Sequence, residues 1–327
     1  MMSEQSSLPK TLIEAVEYFS NPDNAHNFAV LMRWPNGNIC CPVCKASEVS
    51  FISTRRTWQC LSCKKQFSVK LGTIFEDSPI AMGKWLVAIW FIANSRNGIS
   101  SHEMARHLGV TQKTAWFLLH RIRRAMQTGT IEKFTGTVEV DETFVGGKAK
   151  NMHKHKREEA VKGRGGSGKA IVVGILERKK GEDDISRIRF KVVKNADQET
   201  LHGLIHSHVE TGSEVFTDAH KAYRGLSNYQ HAYVDHALAY VDGRIGTNGV
   251  ENFWNLLDRS LHGTYTFCLP HHLLRYVTEH EFRFNNRKLS DRDRFLQAVR
   301  QVTGKRLTYE ELTTSHLKFL APKTPPS

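Results

Sequence analysis

Three acidic residues between positions 141 and 251 are spaced so that a folded sheet could bring them together. Asp141 lies within the alternating segment 137–144, and Asp218 ends the short apolar segment 214–218. Glu251 follows in a segment with helical spacing. Converging carboxylates repel one another unless cations are bound, and such a group can hold two divalent ions roughly 4 Å apart astride a phosphodiester. Magnesium or manganese suits this role because both ions prefer oxygen ligands.

Each of these acids could instead be a solvated surface group. For Asp141 and Asp218 the context argues against that interpretation, because an unpaired charge in or beside an apolar strand is costly. The argument is weaker for Glu251, which lies on a helix. Asn248 is three residues earlier on the same helix face and could also ligate a metal or hydrogen-bond the substrate. We therefore predict a metal site of Asp141, Asp218 and Glu251, with Asn248 as an open alternative.

Four of the six cysteines form two C-x2-C pairs, Cys41 with Cys44 and Cys60 with Cys63, separated by fifteen residues. This spacing is typical of a zinc site in which two tight turns complete a tetrahedron. Because protein ligands fill all four positions, the predicted zinc is structural. Cys40 could replace Cys41 by a shift of one residue, but the spacing would then be C-x3-C. Disulfides are the weaker alternative, because the sequence shows no secretion signal.

The elements that must position the acids are indicated by hydrophobic periodicity. The pattern predicts three strands, a helix, a strand and a later helix, in the segments 137–144, 170–177, 187–193, 196–209, 214–218 and 248–261. This order is typical of a ribonuclease-H-like α/β sheet in which the first and fourth strands lie side by side. Such a sheet would bring Asp141 and Asp218 together, and the late helix would add Glu251.

Residues 98–124 have the pattern of a helix-turn-helix. Ser100 and Thr111 are suited to cap two helices, and Gly109 to form the turn between them. The segment 82–93 upstream predicts a buried helix that completes a small bundle. The first turns of the second helix would face base edges, and arginines further along would contact phosphates. The predicted DNA contacts are Thr111, Gln112, Lys113, Arg121, Arg123 and Arg124. A plain helical hairpin is the alternative.

The charge of the chain favours a polyanionic partner. The formal net charge is +13 and the pI is near 9.5, although the stretch 171–260 carries a net charge of −2. Nucleic acid is the first candidate, and an anionic membrane surface is a distant second. The longest apolar run has nine residues, too few for a membrane span. With no signal sequence, we expect a cytoplasmic protein.

A basic, glycine-containing insert at 148–169 separates the first two predicted strands. We predict a flexible loop that contacts DNA backbone, with a merely solvated loop as the alternative. The insert contains a G-x-x-x-x-G-K string at 163–169. A phosphate-binding loop should continue with Ser or Thr and open a helix, whereas Ala170 and a strand follow here. We therefore exclude nucleotide binding.

Taken together, these residues resemble the zinc-ribbon DDE transposases of bacterial insertion sequences, the ISXO2-like group. The segments that carry the resemblance run in order from about residue 20 to residue 290. They are C-P-V-C with C-L-S-C, V-E-V-D-E-T-F-V-G-G-K, F-T-D-A-H-K-A-Y, T-N-G-V-E-N-F-W-N-L-L-D-R, H-G-T-Y and R-Y-V-T-E-H-E-F-R-F-N-N-R.

The resemblance implies a catalytic domain that cuts transposon ends and joins the freed 3′-hydroxyl to target DNA. It implies double-stranded DNA as the partner and a homo-oligomer on that DNA. Carried over by position, the catalytic acids are Asp141, Asp218 and Glu251. In part of the family the third position is an asparagine, which keeps Asn248 open.

One position departs from the family pattern. The family usually has a lysine where this chain has Asp258, followed here by Arg259, which we predict contacts DNA. The departure gives weight to an alternative function, a transposase-derived DNA-binding regulator that lacks catalysis.

The predicted organisation has five parts. They are an N-terminal helical segment (1–35), a zinc ribbon (36–70), a helix-turn-helix-like domain (71–130), a ribonuclease-H-like catalytic domain with the basic insert (131–290) and a C-terminal tail (291–327).

Overall fold

A computed structural model describes most of the chain, namely residues 8–127, 132–146, 169–234, 244–266 and 268–320, except for the side chains of 315–320. It separates into two compact units. The first consists of 1–128 together with 289–327, and the second of 129–288. The predicted basic insert at 148–169 lies outside the described residues except for Lys169.

The first unit begins with two helices and a small antiparallel sheet. Helices α1 (Leu12–Ser20) and α2 (Pro22–Arg33) start at the side-chain caps Thr11 and Asn21. The sheet contains β1 (Val49–Ile52), β2 (Thr57–Cys60) and β3 (Gln66–Ser68), paired in that order. Buried aromatic and aliphatic residues hold this region together, among them Trp34, Trp58, Phe67 and Val69.

Three further helices follow in the first unit: α3 (Met82–Asn94), α4 (Ser101–Leu108) and α5 (Gln112–Met126). The side chain of Ser100 accepts the N–H of Glu103 and that of Thr111 accepts the N–H of Thr114, as the sequence predicts. Gly109 ends α4 with a φ of +61°, which glycine adopts without strain. The two helices therefore begin at the predicted caps, and α5 runs two residues beyond the predicted end at residue 124.

The segment that the sequence analysis treats as a C-terminal tail contains helices α9 (Asp291–Val299) and α10 (Tyr309–Leu320). Helix α9 packs on α3, and Phe295 is 2% exposed. The ring of Phe295 lies 5.0 Å from that of Trp90 and 5.7 Å from that of Phe28. These aromatic contacts join residues more than 200 positions apart, so local periodicity does not indicate them.

The second unit contains a five-stranded sheet in the order β6-β5-β4-β7-β8. The strands are β4 (Thr137–Val145), β5 (Ala170–Glu177), β6 (Arg187–Val193), β7 (Glu214–Asp218) and β8 (Gln230–Val234). Strand β4 pairs antiparallel with β5 and parallel with β7, and β7 pairs parallel with β8. The predicted pairing of the first and fourth strands of this domain is confirmed, and the arrangement is consistent with a ribonuclease-H-like sheet. Strand β8 was not predicted.

Helices cover both faces of this sheet: α6 (Gln198–His208) on one, α7 (Asn248–Gly263) and α8 (Pro270–Asn285) on the other. The residues of β4 alternate between the faces, as a strand requires. Val138 and Val140 face the α6 side, whereas Glu139 and Asp141 contact α7. Within the described residues, no helix is long and apolar enough to cross a membrane.

Candidate active site and metal cluster

Four cysteine thiols converge in the first unit. The Sγ atoms of Cys41 and Cys63 are 3.7 Å apart, those of Cys44 and Cys60 are 3.5 Å apart, and all four lie within 4.8 Å of one another. Four Zn–S bonds of about 2.3 Å form a tetrahedron whose edges are about 3.8 Å, close to these separations. The cluster therefore supports a structural Zn²⁺. Cys40 is not a member of this cluster, which supports Cys41 as the ligand.

Two tight turns bring these thiols together. Lys45 donates its N–H to the carbonyl of Cys41, and Lys64 to that of Cys60, each with a positive φ. The N–H of Cys63 lies 3.4 Å from Sγ of Cys60 and lowers the pKa of that thiol to about 6. Lowering this pKa favours the thiolate, which is the form that binds metal.

Asp141 lies on β4 and Asp218 at the carboxyl end of β7, the neighbouring parallel strand. The register pairs Glu139 with Phe216, the last pair of this ladder, and Asp141 and Asp218 each lie two residues further along. The charge of Asp218 acts on Asp141, which is consistent with their proximity. The ring of Phe216 lies under the guanidinium of Arg178, on the face of the sheet where Glu139 accepts from α7. Because Asp218 is two residues beyond Phe216, it lies on this same face.

The carboxylate of Asp141 is largely buried beside other acids, and both features disfavour its charged form. Burial, opposed by the N–H of Trp254 and assisted by the carboxyl groups of Glu142 and Asp218, raises the pKa of Asp141 to about 7. A bound cation would offset this repulsion. The donor set is of carboxylate oxygens, which suits Mg²⁺ or Mn²⁺.

Glu142 is a neighbouring acid that the sequence did not single out, and it lies on the face of β4 opposite to Asp141, among the residues that pack toward α6. It accepts a hydrogen bond from the hydroxyl of Tyr223, and Nδ1 of His220 lies 3.3 Å from its Oε1. Burial raises the pKa of Glu142. Glu142 directly follows Asp141 in the segment V-D-E-T. Its partners His220 and Tyr223 belong to the segment F-T-D-A-H-K-A-Y, so the two segments contact each other through the Glu142 side chain.

The third acid lies on helix α7. Glu251 is half-buried and accepts a hydrogen bond of 3.0 Å from the hydroxyl of Thr247. Asn248, the first residue of the helix, is exposed. In the part of the chain that the structure describes, the only set of three or more metal-binding side chains within 4.8 Å of one another is the cysteine cluster. The structure thus brings Asp141 and Asp218 together and leaves Glu251 on the adjoining helix.

A buried ion pair anchors the start of α7. Glu139, 3% exposed, accepts the Nε–H of Arg178 at 2.6 Å and the backbone N–H of Val250 at 2.9 Å. Arg178 also donates to the carbonyls of Arg244 and Gly246, just before the helix. Helix α7 has no side-chain cap of its own, so Glu139 supplies the negative group that its N-terminus favours.

We expect Glu139→Ala to destabilise the chain by about 3 kcal/mol, because it leaves Arg178 and the Val250 N–H without their buried acceptor. The midpoint of urea unfolding measures this loss. The matched control is Glu182→Ala, an exposed acid in the β5–β6 connection, which should change stability by no more than about 0.5 kcal/mol. Equal midpoints for the two variants would contradict the anchoring role.

The predicted DNA contacts divide into exposed and buried residues. Thr111, Gln112 and Lys113 are exposed at the start of α5, although the Gln112 amide donates to Ser101 and the Lys113 ammonium lies 4.8 Å from the centre of the Tyr309 ring. Arg124 and Arg259 are also exposed.

Arg121 and Arg123 are corrections to the prediction, being 4% and 1% exposed. Arg121 donates to the carbonyl of Glu76 and lies over the rings of Trp85 and Phe117. Both are buried because the second half of α5 is enclosed on nearly all sides. The run of basic residues did not reveal that burial, so both leave the set of proposed phosphate contacts.

Comparison with known proteins places these features in a family. Residues 133–285 match the ISXO2-like transposase domain, and residues 20–66 match the transposase zinc-ribbon domain. An uncharacterized protein in the transposable element ISH50 of Halobacterium salinarum is 27% identical over 259 residues, covering 75% of this chain and 85% of that protein. An uncharacterized transposase-like protein of Haemophilus influenzae is 31% identical over 110 residues, covering 33% of this chain and 89% of that protein. The chain belongs to the ISXO2-like transposase family.

Proposed function

We propose that the chain is an insertion-sequence transposase that binds the terminal inverted repeats of its element and catalyses metal-dependent DNA cleavage and strand transfer. The observation that carries this proposal is the placement of Asp141 and Asp218 on adjacent parallel strands, on the face covered by α7, which bears Glu251. The match to the transposase domain supports the same conclusion.

In this proposal Asp141, Asp218 and Glu251 hold the catalytic Mg²⁺ or Mn²⁺, with Asn248 as the alternative to Glu251. When bound, these ions would activate the attacking hydroxyl and stabilise the leaving oxygen of the phosphodiester. The fixed sheet register sets the separation of Asp141 and Asp218, and the anchored helix sets the approach of the third ligand.

The partner of this chemistry is double-stranded DNA, both transposon ends and target. The excess of basic residues provides the general attraction to phosphates. The exposed residues that we propose for DNA contact are Thr111, Gln112, Lys113, Arg124 and Arg259. The basic insert remains a proposed contact outside the described residues. Pairing of two ends would require a homo-oligomer, which we propose from the family resemblance.

A second candidate is a DNA-binding regulator without catalysis. The observation that favours it is Asp258, which is exposed on α7 and lies 2.8 Å from Nδ1 of His262, where the family usually has a lysine. A negative charge there would repel a phosphate rather than attract it.

An assay of binding and cleavage on one DNA fragment separates the two candidates. The fragment carries the DNA that flanks the gene, and it is incubated with the zinc-loaded chain and Mg²⁺ or Mn²⁺. A transposase is expected to shift the fragment in a gel and to nick it at a defined position at each inverted repeat. A shift without any nick in either metal would favour the regulator, and cleavage without position preference would favour a general nuclease.

A further inference from the structure

The indole of Trp254 contacts the carboxylate of Asp141. Its Nε1–H donates to Oδ2 of Asp141 at 2.9 Å, across from helix α7 to strand β4. Trp254 lies three residues after Glu251, hence on the same side of the helix. An indole can only donate, so it fixes one carboxylate oxygen and carries no charge that would compete with a cation.

A glycine in the neighbouring strand makes room for this ring. Gly174 of β5 is the residue paired with Asp141. A Cβ at this position would lie 2.7 Å from Cζ2 and 2.8 Å from Cη2 of Trp254, and 2.9 Å from Cγ2 of Val250. These distances are shorter than carbon atoms tolerate, so any side chain here would displace the indole or the helix. Glycine in a strand interior commonly marks such a close approach.

The position of the ring is further defined by its neighbours. The Trp254 ring meets that of Phe253 at 5.4 Å in an edge-on geometry, and it packs against the apolar cluster between the sheet and α7. The indole is thus held by packing on its benzene side and by the Asp141 carboxylate at its nitrogen. Packing accounts for a large aromatic side chain at this position, and the Nε1–H adds the hydrogen bond to Asp141.

We propose that Trp254 is a positioning residue for Asp141, and that Gly174 provides the space that this role requires. The indole N–H holds Oδ2 so that the second oxygen of Asp141 is presented to a divalent cation. This inference rests on the proposed function, since it presupposes that Asp141 binds that cation. Partners that orient a metal ligand typically contribute about 10- to 100-fold in metal affinity or activity.

Three variants separate the hydrogen bond from the packing. Trp254→Phe removes the donor and keeps an aromatic ring. Gly174→Ala keeps the donor and displaces the ring that carries it. The packing control is Leu257→Val, which trims the same buried cluster one turn further along α7 without touching Asp141. Thermal unfolding of each variant shows whether it is folded and by how much its packing is weakened.

The direct measurement is Mn²⁺ binding to the full, zinc-loaded chain, by electron paramagnetic resonance of the free ion. We expect Trp254→Phe and Gly174→Ala to weaken Mn²⁺ binding by about tenfold or more, and Leu257→Val to bind as the wild type does. Wild-type affinity in Trp254→Phe would overturn the proposal, as would an equal loss in Leu257→Val.

Asp141→Asn separates this inference from the proposed function. If Mn²⁺ binding depends on Asp141 and on Trp254 but no DNA is cleaved, the positioning role stands and the proposed activity fails. If Asp141→Asn binds Mn²⁺ as the wild type does, Asp141 is not a ligand and the positioning role falls. If DNA is cleaved and Trp254→Phe changes neither binding nor the metal dependence of cleavage, the activity stands and the inference alone is overturned.

Discussion

Replacing Asp141 by asparagine is expected to abolish DNA strand cleavage, with a loss of at least about 10³-fold, while binding of end DNA stays near the wild-type level. Bound metal ions contribute several kcal/mol to the stabilisation of a phosphoryl transition state, and each 1.4 kcal/mol corresponds to about tenfold in rate. The amide has nearly the same shape as the carboxylate and keeps an oxygen that can accept the Trp254 N–H. The variant therefore removes negative charge and leaves the fold in place.

Asp218→Asn should have the same effect, because Asp218 ends the strand that pairs in parallel with β4 and its charge acts on Asp141. The matched control is Asp183→Asn, an exposed acid in the β5–β6 connection, which should cleave as the wild type does. Cleavage is followed on a labelled end fragment, and end binding by gel shift under the same conditions without metal. Normal cleavage by Asp141→Asn would remove this residue from the catalytic site.

Replacing Cys41 by serine is expected to unfold the zinc ribbon. Zinc binding contributes on the order of 10 kcal/mol to the folding of small zinc domains, and the strands β1 to β3 are only three or four residues long. Their core depends on the same cysteines, since Cys41 and Cys60 are fully buried among Trp58 and Phe67. Removal of the metal by a chelator should have the same result.

Cys40→Ser is the control for this experiment, because Cys40 is adjacent in the chain but does not belong to the thiol cluster. Metal analysis should find a single zinc ion per chain in the wild type and in Cys40→Ser, and none in Cys41→Ser. Limited proteolysis should cut Cys41→Ser within the ribbon and spare the control. Equal zinc content in the two serine variants would contradict the four-cysteine site.

Local features of the site could be predicted from the sequence because they depend on short spacings. The two C-x2-C pairs define the thiol cluster. Because side chains alternate between the two faces of a strand, the sequence also shows which residues of β4 share a face with Asp141. The caps at Ser100 and Thr111 are equally local, since each bonds to a residue three positions further along. The pairing of β4 with β7 required one more assumption, the order of elements typical of the fold.

What the sequence did not reveal depends on contacts between distant segments. The Glu139–Arg178 pair joins two strands to a helix that begins more than a hundred residues after Glu139, and Glu142 meets Tyr223 across 81 positions. Arg121 and Arg123 appear in the sequence as part of a basic helix end, yet the packing of that helix buries them. The sequence shows that these residues are basic but not where their side chains point. Only tertiary packing decides whether an arginine faces solvent or the interior.

Joining of an end to target DNA tests the proposed transposase activity, because neither a regulator nor a general nuclease performs it. The substrate is a duplex that ends in the element's inverted repeat with a free 3′-hydroxyl, mixed with a supercoiled plasmid, the zinc-loaded chain and Mg²⁺. The account predicts covalent joining of that 3′ end to the plasmid, absent with Asp141→Asn and absent when the repeat sequence is scrambled. If the wild-type chain binds the repeat but joins no end in Mg²⁺ or Mn²⁺, the chain is not the transposase proposed.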